Sequence, residues 1–142
     1  MKKKIEKIKD LNDVVINWAE EFVPEYIAVY GFGSVFDLNF DLNKSGDVDI
    51  AILLPSPINS LERYYAQEEL ARRLGKDVDV IDLLSASTVM KMEVINNSMI
   101  ISCKDKRATE FFATYVFSSY VRLNEERSEI LKDAIARGRI YA

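Results

Sequence analysis

Apolar and polar residues repeat at two different periods along the chain, and these periods predict alternating helices and strands. Residues 10–22 place an apolar side chain every three or four positions, which predicts an amphipathic helix that ends before Pro24. Short runs of β-branched and aromatic residues between turn-forming residues predict four strands. These strands cover residues 27–32, 47–54, 76–84 and 99–102.

Three further helices are predicted after the second strand. The first covers residues 60–74, with Ser60 as its N-cap and Gly75 just past its end. A helix over residues 85–97 and a long one over residues 105–138, with room for one break, follow it. The order α-β-β-α-β-α-β-α predicts an α/β domain in which helices pack on a small mixed β-sheet. The polar loop between the first two strands favours antiparallel pairing between them.

Length and composition restrict the class of protein. The 142 residues contain no repeat or linker, so we expect one domain, 1–142, with its core in residues 8–103 and a helical tail in 105–138. Apolar residues make up 49% and charged residues 30%, as in globular domains. A net charge of −4 argues against direct nucleic-acid binding, and no apolar run is long enough for a membrane span.

Two counts limit the chemistry. The single cysteine, Cys103, excludes an internal disulfide and fits a cytoplasmic location. The chain has no histidine, which removes histidine-based zinc sites and Ser-His-Asp triads. Carboxylates are therefore the side chains left to carry chemistry.

Asp47 and Asp49 are two positions apart on the second predicted strand, so both side chains lie on one face. Two carboxylates side by side repel each other and raise each other's pKa unless a cation lies between them. Gly33 and Ser34 follow the first predicted strand, where a glycine allows close backbone approach and a hydroxyl suits phosphate. Each pattern alone is common, but together they indicate metal-dependent phosphoryl chemistry, since Mg²⁺ binds carboxylate and phosphate oxygens together.

A third carboxylate usually completes such a site, and the third predicted strand offers three candidates. Alternation puts Asp77 and Asp79 on one face of that strand and Asp82 on the other. Spacing alone does not choose between Asp77 and Asp79.

The order G-S, polar loop, D-V-D, then V-D-V-I-D-L resembles the minimal nucleotidyltransferase (MNT) domain of the DNA polymerase β superfamily, over nearly the whole chain. The stretches "VDVIDLLSASTVMKMEVI" and "FFATYVFSSYVRLNEERSEIL" resemble the MNT antitoxins of HEPN/MNT toxin–antitoxin pairs. The resemblance implies a polymerase β-like nucleotidyltransferase fold with a long C-terminal helix. It also implies a Mg²⁺-dependent protein adenylyltransferase, an antitoxin that transfers AMP from ATP to a hydroxyl of a partner HEPN toxin, in this family a tyrosine.

The resemblance also assigns roles to residues. Gly33 and Ser34 would hold the triphosphate of ATP, and Asp47 and Asp49 would bind Mg²⁺. Asp79 matches the first aspartate of the family's V-D-L-V-D-L strand, so it would be the third carboxylate, as metal ligand or as base for the acceptor hydroxyl.

The chain departs from the family in the loop before Asp47. The family has about ten residues between its serine and its first aspartate, whereas 12 residues separate Ser34 from Asp47 here, and Leu38 replaces the usual glycine. This loop motivates an alternative: a non-catalytic binding module that neutralises its partner by occlusion. Transfer to a small molecule is a third alternative, against which the lack of an acceptor-binding domain counts.

The last predicted helix carries more apolar side chains than one packing stripe needs. Aromatic and aliphatic residues lie on more than one of its faces: Phe111, Phe112, Tyr115, Phe117, Tyr120 and Leu123. Either all of them are buried against the sheet, or the surplus forms a partner surface. A partner surface on this helix would bind the toxin. The same surface could also join two copies of this chain.

Overall fold

The computed structural model of the chain describes residue 5, residues 7–33, residue 36 and residues 46–138. Helices and strands follow one another in the predicted order. The elements are α1 (Ile8–Phe22), β1 (Ala28–Phe32), β2 (Val48–Leu53), α2 (Ser60–Leu74), β3 (Val78–Asp82), α3 (Thr88–Asn97), β4 (Ser98–Cys103) and α4 (Lys106–Ala136). No helix in the described ranges is long and apolar enough to cross a membrane.

Capping residues set the ends of the helices, and they correct two predictions. Asn59, rather than Ser60, is the N-cap of α2, because its side-chain oxygen accepts the Leu61 N–H at 2.8 Å. Gly75 ends α2 in a left-handed conformation, as predicted. α3 begins later than predicted, at Thr88, because the Ser87 hydroxyl caps it. α4 runs without the break for which the prediction allowed.

The four strands of the described chain form one mixed sheet in the order β3-β2-β1-β4. β1 pairs antiparallel with both β2 and β4, so the predicted antiparallel step from β1 to β2 is confirmed. β2 and β3 are parallel neighbours joined through α2. In this register Phe32 lies opposite Asp49, and Asp49 lies beside Asp79.

The sheet has a buried cluster on each face. Val48, Ile50 and Ile52 belong to the cluster that contains side chains of α1 and α2. There the buried Trp18 indole donates a 2.7 Å hydrogen bond to the Ala66 carbonyl, which ties α1 to α2. Ala51 and Leu53 belong to the other cluster, with side chains of α3 and α4. Alternation along β2 therefore puts Asp49 on the α3/α4 face of the sheet.

α4 packs on the domain through its first half only. Thr109, Phe112 and Val116 are its buried residues, and none of its described residues after Val116 is buried. Apolar side chains along the rest of the helix face solvent: Phe117, Val121, Ile130, Leu131 and Ile135. The interpretation that all the aromatics of this helix are buried is therefore wrong, since Phe112 is core and Phe111 is 74% exposed.

Candidate active site

The candidate site lies where β2 and β3 begin and β1 ends. Asp49 and Asp79 occupy the same register position on two parallel neighbouring strands, so their side chains project from the same face. Asp47 precedes Asp49 by two residues and lies immediately before β2. Asp47 and Asp79 are exposed, and Asp49 is partly buried. The sheet thus brings together the three carboxylates selected from the sequence.

Gly33 completes this edge of the site from β1. It has a φ of +94°, a conformation that side chains disfavour. A Cβ atom at this position would lie 3.0 Å from Oδ2 of Asp49, so the backbone leaving β1 passes close to that carboxylate. Ser34, the other predicted nucleotide-binding residue, and the loop residues 37–45 lie outside the described residues.

The electrostatics of the site centre on Asp49. Burial raises the pKa of the Asp49 carboxyl, and the charges of Asp79 and then Asp47 raise it further. A carboxyl whose pKa is higher in the folded state destabilises the fold above its unfolded pKa, and this cost disappears as the pH falls below both values. At neutral pH, Asp49 therefore costs folding stability. A bound cation would relieve that cost.

The structure separates the three acids of the third strand. Asp82 is buried, and its carboxylate accepts hydrogen bonds from Ile58 N–H at 3.1 Å, Leu84 N–H at 3.1 Å and the Ser85 hydroxyl at 3.0 Å. Its role is to hold the turn after β3. Asp77 is exposed and precedes β3, whereas Asp79 lies beside Asp49. Geometry therefore favours Asp79 over Asp77, a choice that spacing left open.

The donor set fits a hard cation that substrate helps to hold. Among the described residues, no three histidine, cysteine or acidic side chains are placed to hold a metal ion by themselves. Mg²⁺ does not require such a group, because it usually binds one or two carboxylates together with substrate phosphates and water. Asp49, with Asp47 and Asp79 close enough to shift its pKa, supplies carboxylate oxygens of that kind.

The arginines of α2 make structural contacts in the described structure. Arg72 and Arg73 pair with Glu69, and Arg73 also pairs with Glu21 on α1. Arg63 donates to the Val80 carbonyl at 3.1 Å. These contacts leave no arginine of α2 assigned to a phosphate. The Val80 N–H donates to the side-chain oxygen of Gln67 at 2.9 Å, and Gln67 is a residue for which sequence analysis predicts no role.

Replacing Asp49 with asparagine should leave the stability of the metal-free protein unchanged or raise it, because the substitution removes a charge that burial and two neighbouring carboxylates disfavour. Asp82→Asn is the matched control. It should cost about 1–3 kcal/mol, since it disrupts a buried acceptor of three hydrogen bonds. Thermal melts in EDTA measure both. A clear loss of stability in Asp49→Asn would mean that the ionised Asp49 carboxylate does not destabilise the metal-free fold.

Comparison with known proteins identifies the class to which this fold and site belong. Residues 6–107 match the family described as polymerase beta, nucleotidyltransferase. The match spans well over half of the chain, and the chain belongs to this family. The predicted fold, a small mixed sheet with helices on it and a long C-terminal helix, is confirmed.

Particular relatives define the branch of the family. Protein adenylyltransferase MntA of Shewanella oneidensis is 30% identical over 122 residues, which cover 86% of this chain and 86% of that protein. A solved structure described as a tri-AMPylated Shewanella oneidensis HEPN toxin in complex with MNT antitoxin matches with a TM-score of 0.73 at 30% identity. That match covers 89% of this chain and 98% of the other. The resemblance to MNT antitoxins is thereby confirmed.

Another solved structure extends the comparison to a nucleotide. It is described as a toxin–antitoxin with AMP-PNP, and a chain in it matches with a TM-score of 0.74 at 29% identity. The match covers 87% of this chain and 98% of that chain. AMP-PNP is an analogue of ATP, the nucleotide that the sequence resemblance implies.

Proposed function

We propose that this chain is the antitoxin of a HEPN toxin and a protein adenylyltransferase, which transfers AMP from ATP to a hydroxyl of its partner, a tyrosine by family resemblance. The observation that carries the proposal is Asp49 beside Asp79 on parallel strands, with the Gly33 backbone close to the Asp49 carboxylate. The similar protein adenylyltransferase MntA matches over 86% of this chain. We place the proposed reaction in the cytoplasm, which supplies ATP.

The carboxylates are proposed to hold Mg²⁺ together with oxygens of the triphosphate. Asp47 and Asp49 would be ligands, with Asp79 as a third ligand or as the base, and the bound metal would neutralise the charge of the phosphates during transfer. Gly33, which has no side chain to obstruct the triphosphate, and Ser34 would hold the nucleotide. These assignments fit the raised pKa of Asp49, because burial and the nearby charges of Asp79 and Asp47 disfavour its ionised form when no cation is bound.

The transfer itself is a displacement at the α-phosphorus of ATP. The acceptor oxygen of the partner forms a bond to this phosphorus, the bond to the bridging oxygen of the β-phosphate breaks, and pyrophosphate leaves with that oxygen. The proton of the acceptor hydroxyl must go to a base. Asp79 is exposed on the same face as Asp49, so it is accessible either to the metal or to that proton.

The partner is proposed to dock at the opposite end of the sheet. An apolar groove of about 770 Å³ lies there, lined by the ends of strands and by the first turns of α4, including Ile27, Leu53, Ala108, Phe111 and Tyr115. Phe111 is 74% exposed and Tyr115 is 58% exposed. Exposed aromatic residues around an apolar groove are typical of the centre of a protein interface.

Docking and chemistry are separated along the sheet. Ile27 and Leu53, which line the groove, lie at one end of the β1–β2 pair, while Asp49 is opposite Phe32 at the other. The five residues of β1 span about 13 Å at ~3.3 Å per residue. Substitutions in the groove should therefore weaken the complex without altering the carboxylates.

Residues 1–142 act in this proposal as one domain, and the acceptor comes from the partner protein.

Intact-mass spectrometry tests the proposed function. The purified chain is incubated with its HEPN partner, ATP and MgCl₂, and the mass of the partner should rise by one or more AMP units. Omission of MgCl₂ with EDTA present is the control, and it should abolish the gain. A correctly folded partner that forms the complex yet gains no AMP would exclude the adenylyltransferase activity and leave neutralisation by occlusion.

A further inference from the structure

β3 lies at the edge of the sheet that the described residues form, so half of its backbone groups have no neighbouring strand in that sheet. The Asp77 carbonyl accepts from Val48 N–H at 2.9 Å, and Leu83 N–H donates to the Ile52 carbonyl at 3.0 Å. Residues of this parity therefore bond to β2. Because the direction of backbone groups alternates along a strand, the N–H and the carbonyl of Val80 point away from β2.

Two side chains of α2 form hydrogen bonds with these outward-facing backbone groups of Val80. The Gln67 side-chain oxygen accepts the Val80 N–H at 2.9 Å, and the Arg63 guanidinium donates to the Val80 carbonyl at 3.1 Å. Arg63 and Gln67 are four residues apart, and the same guanidinium nitrogen lies 3.4 Å from the Gln67 oxygen. This Gln67–Arg63 clamp supplies the donor and the acceptor that a further strand would supply.

The clamp acts on the residue directly after Asp79. Asp79 is two residues after Asp77, so its backbone N–H and carbonyl also face β2. The backbone groups of the next residue, Val80, are held by the clamp. The Val80 side chain is buried beneath, in the cluster shared with α2. The Asp79 carboxylate is exposed, so its position depends on how firmly this backbone is held.

We propose that Gln67 and Arg63 are positioning residues, which hold Asp79 beside Asp49 for metal binding and AMP transfer. The effect on AMP transfer rests on the proposed function. The effect on the Val80 backbone and on the position of Asp79 does not. Covering a sheet edge also prevents a foreign strand from pairing there. A clamp with that task alone would hold Val80 without any influence on the carboxylates.

The test uses the full chain with four single substitutions on α2. Gln67→Met removes the acceptor at similar side-chain length, Gln67→Glu keeps an acceptor, and Glu68→Met changes an exposed neighbour of the clamp. Arg63→Met removes the donor to the Val80 carbonyl together with its longer contact to the Gln67 oxygen, and it replaces Gln67→Met in the test should that variant fail to fold. Three quantities are measured: hydrogen exchange of the Val80 amide, the MgCl₂ midpoint from amide chemical shifts of Asp49 and Asp79, and kcat and KM for AMP transfer.

Gln67→Met should accelerate Val80 exchange, raise the Mg²⁺ midpoint by about tenfold and lower kcat by about tenfold, with KM for the partner unchanged. Gln67→Glu should restore most of each quantity, and Glu68→Met should resemble the wild type. Faster exchange with an unchanged Mg²⁺ midpoint and kcat would overturn the positioning role and leave only the edge cover. If the wild type transfers no AMP, the Mg²⁺ midpoint alone decides the inference, while the proposed function fails.

Discussion

Asp49→Asn should lower the rate of AMP transfer by at least about a thousandfold, because the metal contributes several kcal/mol and each 1.4 kcal/mol is a factor of ten. Asp49 is the carboxylate most enclosed by the others: it lies beside Asp79, and the Gly33 backbone passes close to it. Single-turnover transfer, with the complex preformed at saturating partner, measures the chemical step without any contribution from docking.

Asp77→Asn is the matched control for this prediction. It is the same substitution at an exposed residue near the site, but Asp77 precedes β3 and does not lie beside Asp49. Its transfer rate should stay within about threefold of the wild type, in keeping with surface substitutions that change free energies by ±0.5 kcal/mol. A transfer rate for Asp49→Asn similar to that of Asp77→Asn would contradict the site assignment.

Phe111→Asp should weaken binding of the HEPN partner by about a hundredfold, since loss of an aromatic residue central to an interface costs ~2–4 kcal/mol. Phe111 is largely exposed at the groove formed with the first turns of α4. The stability gained from Mg²⁺–ATP should be unchanged in this variant, because the groove lies at the other end of the sheet. Titration calorimetry measures the first effect and thermal shift the second.

Tyr65→Asp provides the control for the docking surface. Tyr65 lies on α2, is 62% exposed, and does not line the groove of α4. Its replacement changes hydrophobicity and charge as Phe111→Asp does, but at another surface. Equal loss of binding in both variants would mean that the effect is one of net charge. Unchanged binding in Phe111→Asp would exclude the groove as the docking surface.

Local sequence patterns were sufficient to predict the order of the elements, because α1 has a clear apolar stripe and turn-forming residues delimit the strands and the other helices. The error at the start of α2 arose because two adjacent residues can serve the same role. Asn59 and Ser60 are both good N-cap residues, and only the structure shows which side chain accepts the first N–H groups of α2. The long helix was likewise predicted, but whether a given aromatic side chain of it is buried depends on tertiary packing.

Within the site, periodicity places residues on a face but does not fix the register between two strands. Asp77 and Asp79 share a face, and the choice of Asp79 depends on how α2 sets the parallel pairing of β2 with β3. Gln67 could not be found from the sequence, because its bond to Val80 joins a helix side chain to the backbone of an edge strand. Contacts of that kind leave no periodic signal.

The central claim is that the carboxylates direct attack at the α-phosphorus of ATP. The most direct measurement is a pair of parallel reactions with the HEPN partner and Mg²⁺, one with ATP labelled at the α-phosphate and one with ATP labelled at the γ-phosphate. The α label should appear on the partner in the wild type and be absent with Asp49→Asn, while the γ label should leave as pyrophosphate. Label from the γ-phosphate on the partner, or neutralisation of the partner without any label, would contradict the claim.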